Sequence, residues 1–250
     1  MPTLPLPKEL STMRFRSWST THNGAVRTHN EDRLVDRTAL GLWAVADGAG
    51  GHQAGEVASG MIADTLDAIP AGTSAAGLLA EVRTRIGQTH LDLCAEAARR
   101  GPRTVIASTV VVLIATETHF ACLWAGDSRA YLLRGGEMQQ ISRDHSLVQE
   151  LVDSGALKPE EAEGHPHANI ITRAVGADSD SFELDKVSGP LQPGDRFLLC
   201  SDGLCKTLSD GDIAQYLAEP ESMISDRLVA AALARQVNDN VTAVVVEVEG

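Results

Sequence analysis

The chain has 250 residues, 43% apolar and 22% charged, with 21 Lys and Arg against 34 Asp and Glu and a formal net charge of −13. That apolar share supports a sizeable core and excludes global disorder, while the length admits one large domain or two small ones. The acidic balance argues against nucleic acid or an anionic membrane surface as partner, and no stretch approaches the ~18 continuous apolar residues of a membrane span.

Residues 1–12 contain Pro2, Pro5 and Pro7 without the apolar run of a secretion signal, and are expected to form a flexible arm. Residues 13–21 and 40–46 read as strands. Apolar positions 54, 57, 58, 61, 62, 66 and 69 then recur at helical spacing, and Leu78, Leu79, Val82, Ile86, Leu93, Cys94 and Ala97 mark a second helix. Strands follow in succession over 104–115, 119–125, 130–134 and 137–141. Ser146 and Gln149 have the spacing of a capping box before a short helix. Residues 155–180 are polar, contain His and Gly and lack a period, so a mobile surface flap is expected there. Beyond it come a strand over 196–201, helices over 209–217 and 223–236, and a strand over 241–249. Helices in pairs and strands in runs predict an α+β layered domain with mostly antiparallel sheets, not a doubly wound parallel one. No linker interrupts residues 13–250, which are expected to form a single domain. Cys94, Cys122, Cys200 and Cys205 form no Cys-x-x-Cys pair and lie in apolar company, so they read as buried reduced thiols of a cytoplasmic protein.

Four aspartates stand at the ends of apolar runs. Asp47 follows Leu42-Trp43-Ala44-Val45-Ala46, Asp127 follows Phe120-Ala121-Cys122-Leu123-Trp124-Ala125-Gly126, and Asp202 follows Phe197-Leu198-Leu199-Cys200-Ser201, while Asp239 precedes Val241-Thr242-Ala243-Val244-Val245-Val246. A strand end fixes the backbone and lets the side chain face a cleft. Gly48, Gly126 and Gly203 beside three of them permit tight turns and close approach to a ligand. Carboxylates that converge repel one another unless protons or a cation neutralise them, and oxygen-only donors suit Mg²⁺ or Mn²⁺ better than zinc. Taken singly, each aspartate is better explained as a strand-end or turn residue than as a ligand.

Together the segments Arg27-Thr28-His29-Asn30-Glu31-Asp32, Val45-Ala46-Asp47-Gly48-Ala49-Gly50-Gly51-His52, Gly126-Asp127-Ser128-Arg129-Ala130-Tyr131, Asp144-His145-Ser146, Pro193-Gly194-Asp195 through Ser201-Asp202-Gly203-Leu204, and Asp239-Asn240-Val241-Thr242 resemble the ordered motifs of the metal-dependent Ser/Thr protein phosphatases of type 2C, in a compact bacterial form. The resemblance spans nearly the whole chain. It implies a four-layer α-β-β-α sandwich, two antiparallel sheets flanked by helix pairs, and hydrolysis of phosphoserine and phosphothreonine by a water held between two Mn²⁺ or Mg²⁺ ions. It further implies that Asp47 bridges the ions, that Asp202 and Asp239 complete one, and that Glu31 and the Gly48 carbonyl complete the other. Asp32 would orient the water, Arg27 would bind the phosphate, and Asp127 matches the position of a weaker third ion. The implied partners are phosphoprotein substrates, a cognate Ser/Thr kinase and its targets, in some relatives within secretion-system regulation, with a monomer as the default. The sequence departs from several eukaryotic relatives at Ala49, where they carry a histidine that protonates the leaving oxygen. His52, His165, His167 and solvent remain open as substitutes.

Other readings fare worse. Gly48-Ala49-Gly50 fails the dinucleotide pattern because position 53 is Gln. Cys94 and Arg100 have the spacing of a cysteine phosphatase but lie in an Ala-rich helical stripe without a phosphate loop. Gly126 to Ala130 lacks the second glycine of a nucleophile elbow, and Asp178-Ser179-Asp180-Ser181 has no apolar strand before it. His22, His90 and His119 read as surface or half-buried side chains, His145 as ordering its loop, and Arg129 and Arg173 as ion-pair residues. A catalytically silent phosphoprotein-binding module is the rival from another class, and a Ca²⁺-stabilised structural domain lacks an EF-hand loop.

Overall fold

Along the strand β3 (Leu42–Ala49) alternate side chains enter different cores, and this alternation sets the architecture. Leu42, Ala44 and Ala46 pack with helical residues, whereas Trp43 and Val45 pack against a second sheet. A strand buried on both faces reads as a continuous apolar run, which is why this segment was legible in the sequence. The protein is described here by a computed structural model covering residues 13–49, 54–116, 118–162, 164–177, 182–220 and 222–249. The proline-containing 1–12 segment, His52 and Asp178 to Ser181 lie outside the described residues.

One sheet has the order β1 (Arg14–His22), β11 (Val241–Glu249), β10 (Arg196–Cys200), β7 (Arg129–Arg134), β8 (Glu137–Gln140). The other runs β2 (Asp32–Arg37), β3, β5 (Val110–Thr116), β6 (His119–Ala125), β9 (Asp185–Pro190), with the short β4 (Ala107–Ser108) paired to the end of β3. Every pairing among these strands is antiparallel. Between the sheets Trp43, Val111, Phe120, Phe197, Val244 and Val246 form a common core. On the outer face of the β3 sheet lie α1 (Ala54–Asp67) and α2 (Ala75–Arg100), burying Ile62, Leu66, Val82, Ile86 and Leu93. On the outer face of the β11 sheet lie α6 (Asp210–Ala218) and α7 (Ile224–Ala234), burying Ile213, Leu217, Leu228 and Ala232. The result is the four-layer α-β-β-α arrangement. Each fully buried aliphatic or aromatic side chain in these cores contributes roughly 1.5–3 kcal/mol.

The differences from expectation have local causes. β2 and β9 were not expected, being sheet-edge strands with charged or Gly-Pro content, the composition that keeps an edge from pairing further. The expected strand over 104–115 breaks at Thr109, between β4 and β5. The expected short helix after Ser146 is α3 (Leu147–Asp153), while the short α4 (Pro159–Ala162) and α5 (Asp202–Cys205) were not expected. Only half of the capping box before α3 forms: Ser146 Oγ accepts from the Gln149 N–H at 3.3 Å, but the Gln149 amide donates to Asp153 instead. The reciprocal box lies at α6, between Ser209 and Asp212. In the segment expected to be a flap, Ala174 and Val175 are buried and Val175 bridges to Ser108, while Ile171 bridges to Ser146. Among the described residues no helix is long and apolar enough to cross a membrane.

Candidate active site

The two sheets bring their aspartates to one end of the sandwich. Asp32 and Asp47 are direct cross-strand partners on β2 and β3. Asp202 opens α5 immediately after β10, and Asp239 stands two residues before β11, the strand beside β10. Asp127 occupies the turn from β6 in one sheet to β7 in the other. Their mutual repulsion is legible in Asp47, whose carboxyl is pushed well above its usual range by burial and then by Asp32, Asp202, Asp127 and Asp239.

The backbone at Asp47 is clamped where β4 gives way to β5. Its carbonyl accepts from the Thr109 N–H at 2.8 Å and from Ser108 Oγ at 2.9 Å, and its N–H donates to Thr109 Oγ1 at 3.2 Å. Asp32 is 1% exposed. Its Oδ2 accepts from Ser201 Oγ at 2.7 Å and Thr242 Oγ1 at 2.6 Å, whereas Oδ1 is buried with no hydrogen-bond partner. Burial outweighs those two bonds and pushes this carboxyl up to about 7. Asp127 Oδ1 is likewise buried and unpartnered, and burial followed by the Asp202 charge pushes Asp127 up to about 6 despite Lys206.

The loop bearing Arg27 and Glu31 is fastened to β11 by Asn240. The Asn240 amide oxygen accepts the Glu31 N–H at 2.8 Å, and its NH₂ donates to the Asn23 and His29 carbonyls at 3.1 and 2.9 Å. Arg27 Nη2 donates to Asp239 Oδ2 at 2.9 Å and Nε to the Asn238 carbonyl at 3.3 Å, with about half of the side chain exposed. Burial raises Glu31, against the opposing charge of Arg27.

Close backbone approach requires glycine at positions 48, 203 and 55. A Cβ on Gly48 would stand 2.2 Å from the Gly55 carbonyl oxygen, and one on Gly203 would stand 1.9 Å from that of Asn240. A Cβ on Gly55 would fall 2.6 Å from the Gly48 carbonyl oxygen and 3.0 Å from Glu31 Oε2, so these two oxygens face the same space.

Thus Arg27, Glu31, Asp32, Asp47, Gly48, Asp127, Asp202 and Asp239 lie in one region of the fold. The sequence reasoning missed Lys206, whose Nζ donates to Asp202 Oδ2 at 2.7 Å, Asn169 Oδ1 at 2.9 Å and Asp127 Oδ2 at 3.2 Å. The helical i,i+4 spacing from Asp202 was its only signal. Asn240, Ser201 and Thr242 were visible only as neighbours of aspartates. His90 is corrected from surface or half-buried to buried, its Nδ1 accepting from the Gly176 N–H at 3.0 Å and its ring stacking on Phe182, and Cys94 and Cys205 are corrected from buried to half-buried. His145 orders its loop, with Nδ1 accepting from the Gly126 N–H at 3.1 Å. Arg129 pairs with Asp144 and Arg173 with Asp185.

These residues fit hard divalent ions. The donors are all oxygen, two buried carboxylate oxygens lack any partner, and the carboxylates raise one another's proton affinity for want of positive charge. Among the described residues no three His, Cys, Asp or Glu side chains draw close enough to enclose an ion by themselves; Arg27 and Lys206 hold three of the aspartates in ion pairs.

The profile of the family Protein phosphatase 2C matches residues 21–238. The chain is 36% identical over 238 residues to the serine/threonine protein phosphatase PstP of Mycobacterium tuberculosis, covering 95% of this chain and 46% of the relative. It therefore spans about half the length of that relative. Among solved structures it superposes on PppA, a key regulatory component of T6SS in Pseudomonas aeruginosa, with a TM-score of 0.86 and 44% identity, covering 94% of this chain and 98% of the other. The catalytic domain of PstP in complex with two manganese ions gives a TM-score of 0.81 at 36% identity, covering 96% of this chain and all of the other. The chain belongs to the protein phosphatase 2C family.

Proposed function

We propose that this chain removes phosphate from phosphoserine and phosphothreonine in proteins with the aid of two divalent ions, Mn²⁺ or Mg²⁺. The observation that carries this is the meeting of aspartates from both sheets at one end of the sandwich, with Asp32 Oδ1 buried and unpartnered on the residue paired with Asp47. Asp47, Asp202 and Asp239 would hold one ion, and Asp47, Glu31 and the Gly48 carbonyl the other. When bound, such a pair supplies a water of low pKa and draws off negative charge from phosphoryl oxygens.

The chain's own residues do the rest. Asp32, its Oδ2 engaged by Ser201 and Thr242, offers Oδ1 to orient the attacking water and take its proton. Arg27 is planar and half-exposed, and its free N–H groups can hold two phosphate oxygens as charge grows on them. Water attacks phosphorus in line, the P–O bond to the serine or threonine oxygen breaks, and inorganic phosphate leaves without a covalent enzyme intermediate. Ala49 cannot protonate the departing alkoxide, which takes its proton from solvent.

Residues 13–250 act on this reading as one phosphatase domain, monomeric and cytoplasmic, whose phosphoprotein targets are those of a cognate Ser/Thr kinase. Phosphate release from phosphoserine and phosphothreonine peptides tests the reading. Turnover should require Mn²⁺ or Mg²⁺, stop with EDTA, and fall by at least about 10²-fold in Asp202→Asn. Peptide binding without turnover would replace the enzyme by a phosphoprotein-binding module.

A further inference from the structure

The Lys206 side chain is about one third exposed, and its ammonium has three protons to donate. Lys206 Nζ finds three oxygens from three separate parts of the chain: Asp202 Oδ2 at the start of α5, Asn169 Oδ1 in the segment after α4, and Asp127 Oδ2 in the turn between β6 and β7. The distances are 2.7, 2.9 and 3.2 Å, and Asp127 is 3% exposed. Two carboxylates and an amide carbonyl form the donor set a hard divalent ion selects. Such an ion between Asp127 and Asp202 would stand where Nζ stands, and the two exclude each other by volume and by charge.

We propose that Lys206 is a built-in cation for this point of the site. It neutralises Asp127 and Asp202, ties Asn169 to them at any divalent-ion concentration, and keeps a third ion out. The expectation of a weaker third ion near Asp127 gives way to an internal positive charge. Lys206 is thus a positioning residue: it touches no reacting atom and acts through Asp202, Asp127 and Asn169.

The inference rests on the two-ion reading only for the wild-type count, and the test separates them. Manganese bound per chain is measured by equilibrium dialysis and elemental analysis at saturating Mn²⁺. Lys206→Ala should bind one more ion than the wild type, and adding Asp127→Asn should return the count to the wild-type value. Lys206→Arg, which keeps the charge, should match the wild type. Lys206→Met, which retains much of the stem's volume, repeats the measurement if the alanine variant does not fold. Equal counts in wild type and the charge-removing variants overturn the role of Lys206. A wild-type count of zero overturns the two-ion reading, and the difference between variant and wild type still decides the inference.

Discussion

Asp32 illustrates how one side chain can carry both chemistry and a folding cost. Without divalent ions its carboxyl titrates at about 7 in the folded chain, against ~3.9 for an unfolded aspartate. Between those values the folded state keeps a proton that the unfolded state has released. The contribution of Asp32 to stability is therefore most favourable at low pH, declines as pH rises from about 4 to 7, and levels off above. Chemical denaturation in EDTA at a series of pH values should show the wild type losing stability relative to Asp32→Asn across that window; parallel curves would contradict the assignment. At this scale four aspartates were legible because each borders an apolar run, Asp47, Asp127 and Asp202 after one and Asp239 before one. Lys206 was not, because two of its three partners lie 79 and 37 residues away, and no local pattern announces a contact closed by tertiary packing. His90 escaped for the same reason, its partner Gly176 being 86 residues distant.

Between elements the decisive joint is Asn240, which holds the 23–31 loop against the start of β11 through three hydrogen bonds. Replacing it by alanine leaves the Glu31 N–H and two carbonyls without their partner. The expected loss is about 2–3 kcal/mol of stability, measured by urea unfolding. Glu31 and Arg27 would also lose their fixed position, so the concentration of Mn²⁺ for half-maximal activity should rise by roughly 10-fold or more. Unchanged metal dependence would show that the loop is positioned by something else. The long helices α1 and α2 and the inner strands were readable from their apolar residues, whereas the short α4 and α5 were not expected. The edge strands β2 and β9 were hidden, since an edge strand with charges or Gly-Pro lacks the buried run that marks its neighbours. The hidden β2 matters for function, because its pairing with β3 sets Asp32 directly opposite Asp47.

Across the whole molecule, three apolar layers hold two sheets and two helix pairs so that loops from both sheets meet at one end. Trp43 is fully buried between the sheets, with its ring edge-on to Phe15 and Nε1 donating to Thr38 Oγ1. Trp43→Ala should cost about 3–5 kcal/mol in denaturant unfolding while leaving kcat per folded molecule largely unchanged. A selective loss of kcat in a chain of normal stability would show that this core tunes the site directly. An α+β layered domain could be anticipated from strand runs and helix pairs, but the four-layer order and the gathering of Asp47, Asp202 and Asp239 only from the family resemblance, since spacing in sequence carries no distance in space. That convergence is tested most directly by anomalous diffraction at the manganese edge from crystals grown in Mn²⁺. The account predicts two strong peaks about 3.5–4 Å apart, both in contact with Asp47, one shared with Asp202 and Asp239 and the other with Glu31. Peaks remote from Asp47, or none at all with the three aspartates turned to solvent, would contradict it.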